Sequence, residues 1–195
     1  MLRFNEIKAT QTASAVLRLL GEDTRPQKLV KLLYLIDREA LLRWGRPITT
    51  DSYILTSSGP AVRHISALLN LCSDEKEAPE KEVLEKEVLG VFWKKFILSN
   101  EDAVWLIGLP GRGELSMAEE QLIQKIVYEH GDKSQEELVA FSRKLPECFA
   151  LPYSSSNMDY RNILIAGGKS SEEISAIDAE LAEIAAFDSF FGSKS

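Results

Sequence analysis

The sequence predicts a mainly α, α+β protein: a compact helical domain with a small β-hairpin and a C-terminal helix. Apolar residues recur at helical spacing in several segments, and four of these segments open with a capping-box pattern. Two β-branched and aromatic segments, Phe92 to Leu98 and Ala103 to Leu109, flank the short polar turn Ser99 to Asp102, which favours a hairpin. We expect the domain to span 1–150, and a linker with a C-terminal helix, packed on the domain or extending from it, to span 151–195.

Two helices are predicted in the first 45 residues. The first runs from Asn5 to Leu20 and ends at Gly21. The second begins at a capping box formed by Thr24 and Gln27, with Pro26 in its first turn, and ends at Gly45. Apolar residues cover more than half of the second helix, so we expect it to be buried at the centre of the domain. The residues expected to face the core are Ile7, Val16, Leu19 and Leu20 in the first helix and Leu32, Leu33 and Ile36 in the second.

The segment after Gly45 is predicted to change from extended to helical structure. Thr50 to Thr56 is rich in β-branched and aromatic residues, and Ala61 to Leu71 has helical periodicity. Gly59 and Pro60, in Ser57 to Pro60, are predicted to form the structural turn that reverses the chain between these two segments. The charged stretch from Ser73 to Gly90 is consistent with either a mobile linker or an exposed helix.

Three helices are predicted in the second half of the chain, each opened by a capping box. Ser116 with Glu119 opens a helix that reaches His130, and Ser134 with Glu137 opens one that reaches Lys144. The last helix starts near Ser170, with Glu173 at the capping-box position, and extends to about Phe190.

Charge and hydropathy exclude several classes of protein. The net charge is −7, but residues 1–63 carry ten Lys or Arg and six acids, so only the first third is basic. Its bases are interspersed with acids, which argues against a nucleic-acid partner. No apolar run approaches the roughly 20 residues of a membrane span, and no signal peptide is evident, so we expect a cytoplasmic protein without membrane contact. Cys72 and Cys148 are then expected to be buried thiols.

No catalytic or metal-binding pattern stands out, so we expect a protein that is not an enzyme and has no cofactor or metal. The two histidines, His64 and His130, have no nearby nucleophile in the sequence. The glycines from Gly108 to Gly113 lack the Gly-Lys-Ser/Thr ending of a phosphate-binding loop, and a connection from strand to helix is the better interpretation.

Several motifs resemble the Panacea domain of SocA-like antitoxins. These are Lys28-Leu-Val-Lys-Leu-Leu-Tyr34, Trp44-Gly45 with Pro47, Ser57-Ser-Gly-Pro-Ala-Val62, Leu115-Ser116 and Ile126-Val-Tyr-Glu-His-Gly131. The resemblance spans roughly residues 5–150. The resemblance implies a bacterial or phage antitoxin that neutralises a small protein toxin encoded beside it. It also leaves open an adaptor that delivers the toxin to a protease and, as a weaker alternative, a DNA-binding regulator. The sequence leaves a homo-oligomer open as well.

The predicted partner-binding surface lies between Trp44 and His64. Exposed aromatic residues and arginines are the usual anchors of protein interfaces. The candidates lie in the only basic third of the chain: Trp44, Arg46, Tyr53, Arg63 and His64. The alternative is that Trp44 and Tyr53 are core residues. A second candidate surface is the hairpin, through outward side chains among Trp93, Lys95, Val104 and Leu106.

Overall fold

The computed structural model describes residues 2–69, 90–149 and 157–191. Within them the chain is mainly helical with small antiparallel sheets, as the sequence predicts. The predicted stretch from Ser73 to Gly90 lies outside the described residues, apart from Gly90. The helices are α1 (Glu6–Leu20), α2 (Pro26–Trp44), α3 (Arg63–Leu68), α4 (Met117–His130), α5 (Gln135–Ser142), α6 (Tyr160–Ala166) and α7 (Ser171–Phe191).

In the described part of the chain, six short strands form two antiparallel sheets of three strands each. The first sheet has the order β1-β5-β4 and the second the order β3-β2-β6. The strands are β1 (Asp23–Thr24), β2 (Tyr53–Thr56), β3 (Gly59–Val62), β4 (Ile97–Ser99), β5 (Val104–Leu106) and β6 (Asn157–Met158). No helix in the described part of the chain is long and apolar enough to cross a membrane.

Helix α1 has the predicted ends, but only part of its predicted core face is buried. The Asn5 side chain accepts a hydrogen bond from the Lys8 amide, and Gly21 ends the helix. Ile7 and Leu19, predicted to be core residues, are 43% and 48% exposed. Val16 is buried as predicted, and Leu20 packs against the core. Most of the other buried side chains of this helix are small: Ala9, Thr10, Gln11, Thr12, Ala13, Ser14 and Leu17. We attribute the difference to α2 and α4, which pack against α1, because small side chains allow close approach of neighbouring helices.

Helix α2 does not begin with the predicted capping box. Thr24 belongs to β1 and pairs with Val104, so its backbone is part of a sheet. Arg25 precedes the helix without a side-chain cap, and Pro26 is the first helical residue. Pairing with a strand 80 positions away thus replaces the local cap that the sequence predicts at Thr24.

The centre of the core is α2, as predicted. Leu32, Leu33 and Ile36 are all 0% exposed. Helices α1, α4, α5 and α6 and strand β3 all contact α2. The helix is therefore surrounded by the other elements, which explains why it is apolar on several sides.

The region after α2 contains a second hairpin where the sequence predicts a turn and a helix. Strands β2 and β3 pair in the register Leu55 with Pro60 and Thr56 with Gly59, so the chain reverses at Ser57 and Ser58. Gly59 and Pro60 open the returning strand, and the helix predicted from Ala61 begins only at Arg63. The Gly-Pro pair resembles a break in secondary structure, but here both residues lie in an edge strand, a position that tolerates proline.

The hairpin predicted from Phe92 to Leu109 is present but shorter. Its strands are β4 and β5, and Trp93–Lys95 forms a 3₁₀ turn before them. The Asn100 carboxamide oxygen accepts hydrogen bonds from the amides of Asp102 and Ala103 and so closes the turn. The capping boxes at Ser116 and Ser134 are confirmed.

The C-terminal helix α7 packs on the domain through its first half. Ile174 and Ile177 lie against the core. Gly45 has a φ of +69°, and a Cβ atom there would lie 2.8 Å from Ile177, so this glycine permits both the end of α2 and the approach of α7. Arg161 Nε donates to Asp178 at 2.9 Å, which ties α7 to α6. The division into 1–150 and 151–195 stays a prediction, although β6 pairs with β2.

Buried polar side chains of α2 connect it to two later segments. Lys31, which is 2% exposed, donates to the Pro60 carbonyl at 2.8 Å, and burial lowers its pKa to about 8. Tyr34 donates to Glu147 Oε1 at 2.8 Å. Arg38 Nε and Nη2 bind the same carboxylate at 2.7 and 3.3 Å. Since Glu147 is 0% exposed, its charge needs these donors.

We predict that Leu33→Ala lowers the free energy of unfolding by about 2–5 kcal/mol, because it leaves a cavity at the centre of the core. Leu19→Ala is the matched control, since Leu19 is 48% exposed, and it should change the stability by no more than about 0.5 kcal/mol. Urea unfolding of both variants measures the difference. Equal stabilities would show that α2 is not the centre of the core.

We predict that Gly59→Val also destabilises the fold, by about 1–3 kcal/mol from backbone strain, with steric overlap in addition. Gly59 has a φ of +91°, and a Cβ atom there would lie 3.0 Å from Arg143 Cγ and 3.1 Å from Ser142 Oγ. Thermal unfolding followed by circular dichroism should show a lower melting temperature. An unchanged melting temperature would contradict a structural role for Gly59.

Candidate partner-binding surface

The loop after α2, residues 46–52, is held from inside by the carboxylate of Asp37. This group is 0% exposed and accepts hydrogen bonds from the amides of Ile48 and Thr49, each at 2.9 Å. The Thr49 hydroxyl and the Tyr53 hydroxyl also donate to it. Burial raises the pKa of Asp37 to about 7, although the Thr49 and Ile48 donors act in the opposite direction by stabilising the charged form.

A second buried carboxylate, Asp51, holds the start of α3. It is 3% exposed and accepts from the amides of His64 and Ile65 at 2.9 and 3.0 Å. These are first-turn amides, which have no partner within the helix, so Asp51 acts as the cap that Val62 does not supply. The carboxylate also contacts His64 Nδ1 at 2.7 Å. Asp51 therefore sets the direction of α3 and the position of the imidazole.

The N-terminal segment covers one side of this region. The Phe4 ring stacks on the His64 ring, with 4.6 Å between the centroids. The Asn5 amide donates to Thr50 Oγ1 at 2.8 Å. Thr50 has a φ of +54°, which is rare for a β-branched residue, so its surroundings hold the loop in a strained conformation.

The predicted anchors differ in their exposure. Arg46 is exposed and Arg63 partly exposed, and neither guanidinium forms an ion pair within the described residues. Tyr53 is 3% exposed, so its prediction as an exposed anchor is wrong; its ring packs edge-on against Tyr34. Trp44 is partly buried and packs against the core. The alternative interpretation, in which these two aromatic residues belong to the packing, describes them better.

The hairpin exposes only part of the predicted set: Lys95 is exposed as predicted, whereas Leu106 packs against the core. Trp93 and Val104 are 2% and 0% exposed, so they belong to the core rather than to a binding surface. Leu98 and Ile107 are 40% and 51% exposed, and Trp105 pairs with Leu98 on the same outward face. The alternation of side chains is as expected for a strand, but the sequence did not indicate which set faces inward.

A groove that the sequence did not predict lies between the end of α1, the start of α2 and α4. Its lining includes Leu19, Arg25 and Tyr128. The Tyr128 side chain is 90% exposed, an unusual position for a large aromatic residue. None of the predicted anchors lines this groove.

The arrangement is suited to presenting side chains on a rigid framework. The described residues contain no group of three or more side chains able to hold a metal ion. His130, the other histidine, has a buried Nδ1 without a hydrogen-bond partner in the described structure, and burial lowers its pKa.

Asp37 and Asp51, which organise the surface, were not predicted from the sequence. The only signal for either residue was the position of Asp37, an acid within the apolar face of α2.

We predict that Asp37→Ala lowers the free energy of unfolding by about 2–6 kcal/mol, since each of the two buried amides left unpaired costs about 1–3 kcal/mol. Asp37→Asn is the matched control, because its amide oxygen still accepts one or more of these bonds, and it should lose less stability than Asp37→Ala. Urea unfolding at pH 7 compares the two variants. Equal losses would show that the hydrogen bonds to loop 46–52 contribute little.

Comparison with known proteins assigns the chain to a family. The model of the antitoxin SocA-like Panacea domain matches residues 29–147, more than half of the chain. The match begins within α2 and ends at Glu147, so it includes both buried carboxylates that hold the candidate surface. No curated protein and no solved structure matches. The chain therefore belongs to the antitoxin SocA-like, Panacea domain family.

Proposed function

We propose that this protein is an antitoxin that neutralises a protein toxin by binding it directly. The observation that carries the proposal is the family match over residues 29–147, since the family is named for antitoxins. The toxin would be encoded by a neighbouring gene, and the two proteins would meet in the cytoplasm.

We further propose that Arg46 and Arg63 contact the toxin. Both arginines lie on segments whose backbone is held by a buried carboxylate. Arg46 precedes the amides that donate to Asp37. Arg63 precedes the amides that donate to Asp51. Side chains on a rigid backbone lose less conformational freedom on binding, which favours affinity. His64, fixed between Asp51 and Phe4, flanks Arg63. Trp44 packs against the core and Tyr53 is buried, so the proposal does not include either side chain as a contact.

We predict that the double charge reversal Arg46→Glu/Arg63→Glu weakens toxin binding at least tenfold, which corresponds to about 1.4 kcal/mol. Both residues lie outside the core, so the variant should fold normally. Calorimetry with the purified toxin measures the affinity, and a growth assay with co-expressed toxin measures neutralisation. Arg18→Glu/Arg112→Glu is the matched control, because it makes the same change in net charge at two exposed arginines outside the proposed surface.

The outcomes of these experiments distinguish the antitoxin function from the location of the toxin-binding surface. The antitoxin proposal is wrong if the neighbouring gene is not toxic when it is expressed alone. It is also wrong if co-expression of this protein does not relieve that toxicity. If neutralisation is observed but the Arg46/Arg63 variant binds as tightly as the wild type, the contact lies elsewhere, and variants at Tyr128 or Ile107 would test the groove and the hairpin. Toxin levels measured in the same cells distinguish a stable complex from delivery to a protease.

A further inference from the structure

Strand β4 forms one edge of its sheet. The Ile107 amide donates to the Phe96 carbonyl and the Asn100 amide donates to the Ala103 carbonyl, at the two ends of the β4–β5 ladder. Hydrogen-bonded and non-hydrogen-bonded pairs alternate in an antiparallel ladder, so the bonded pair between these ends is Leu98 with Trp105. The backbone groups of Ile97 and Ser99 therefore point to the other side, where no strand of the described structure pairs with them.

The two ends of β4 carry opposite charges. Lys94 and Lys95 precede the strand and are exposed, while Glu101 and Asp102 form the exposed turn that follows it. None of these four side chains forms an ion pair within the residues that the structure describes. Leu98 lies midway between the two charged groups, and its side chain is 40% exposed.

We propose that β4 pairs with β4 of a second copy of this chain, antiparallel and about a twofold axis at Leu98. In this register Ile97 of each copy is opposite Ser99 of the other, so the outward backbone groups of both residues are hydrogen-bonded. The two Leu98 side chains meet at the axis. The lysine pair of each copy lies near the acidic turn of the other, and the two three-stranded sheets become one of six strands.

The register is specified by both hydrogen bonding and charge. A shift by one residue would place backbone groups already bonded to β5 at the new contact. A shift by two residues would pair Ile97 with itself or Ser99 with itself, and it would move the lysines away from the acidic turn. Only the register centred on Leu98 uses both outward residues of β4 and both charged ends.

A second copy explains these features better than an unrelated partner. A twofold contact requires a surface that is complementary to itself, and a strand with bases at one end and acids at the other meets that requirement when it is antiparallel. An open edge strand also tends to pair with another strand unless it is protected. The contact is small, so we expect a dimer that depends on concentration and salt. This inference does not depend on the antitoxin proposal.

We predict that sedimentation velocity of the full chain, without toxin, shows a reversible monomer–dimer equilibrium. Leu98→Lys should raise the dissociation constant of the dimer at least tenfold, because it places two like charges at the twofold axis. Leu19→Lys is the matched control at another exposed leucine and should leave the equilibrium unchanged. Circular dichroism verifies that both variants are folded.

A charge exchange tests the register itself. Lys94→Glu/Lys95→Glu and Glu101→Lys/Asp102→Lys should each abolish the homodimer, whereas an equimolar mixture of the two variants should form a heterodimer. The turn should persist in the second variant, since the Asn100 side chain closes it through backbone amides. A wild-type chain that stays monomeric at high concentration would overturn the proposal, as would a dimer that none of these β4 variants weakens.

Discussion

The structure depends on the burial of α2 together with its polar side chains. A helix surrounded by other elements has no water to hydrogen-bond Lys31, Tyr34 or Asp37, so the protein itself must supply their partners. Each partner comes from a different later segment: the start of β3, the turn at Glu147, and loop 46–52. The same buried groups that would destabilise an isolated helix thus determine where three later segments lie.

This arrangement connects the core with the candidate binding surface. Asp37 orients the loop that follows Arg46, and Asp51 caps the helix that begins with Arg63. Neither arginine forms an ion pair within the described residues, which leaves both available to a partner. The edge of β4 uses other residues, so the proposed self-association and the proposed toxin binding need not compete for the same side chains. A dimer would then carry two copies of the arginine surface.

Local signals were sufficient for most helix boundaries. The cap at Asn5, the ends at Gly21 and Gly45, and the capping boxes at Ser116 and Ser134 depend on residues a few positions apart. The errors arose where a long-range contact overrides a local preference. Thr24 pairs with β5 instead of capping α2, and Ala61 pairs with β2 instead of starting a helix. At Thr24 the local preference is for a helix cap, and at Ala61 it is for the start of a helix. In both cases strand pairing in the tertiary structure outweighs the local preference.

The sequence by itself determined the helical class, the central position of α2 and the resemblance to the Panacea family, because periodicity and motif order are properties of the chain. It also indicated that Arg46 and Arg63 are candidate anchors. Only the tertiary structure decided that Tyr53 lies inside and that Leu98 lies outside. The same holds for Asp51 with His64 and for Phe4 with His64, whose members lie 13 and 60 positions apart. Such contacts depend on how elements pack, and side-chain type alone does not specify which distant residue will be the partner.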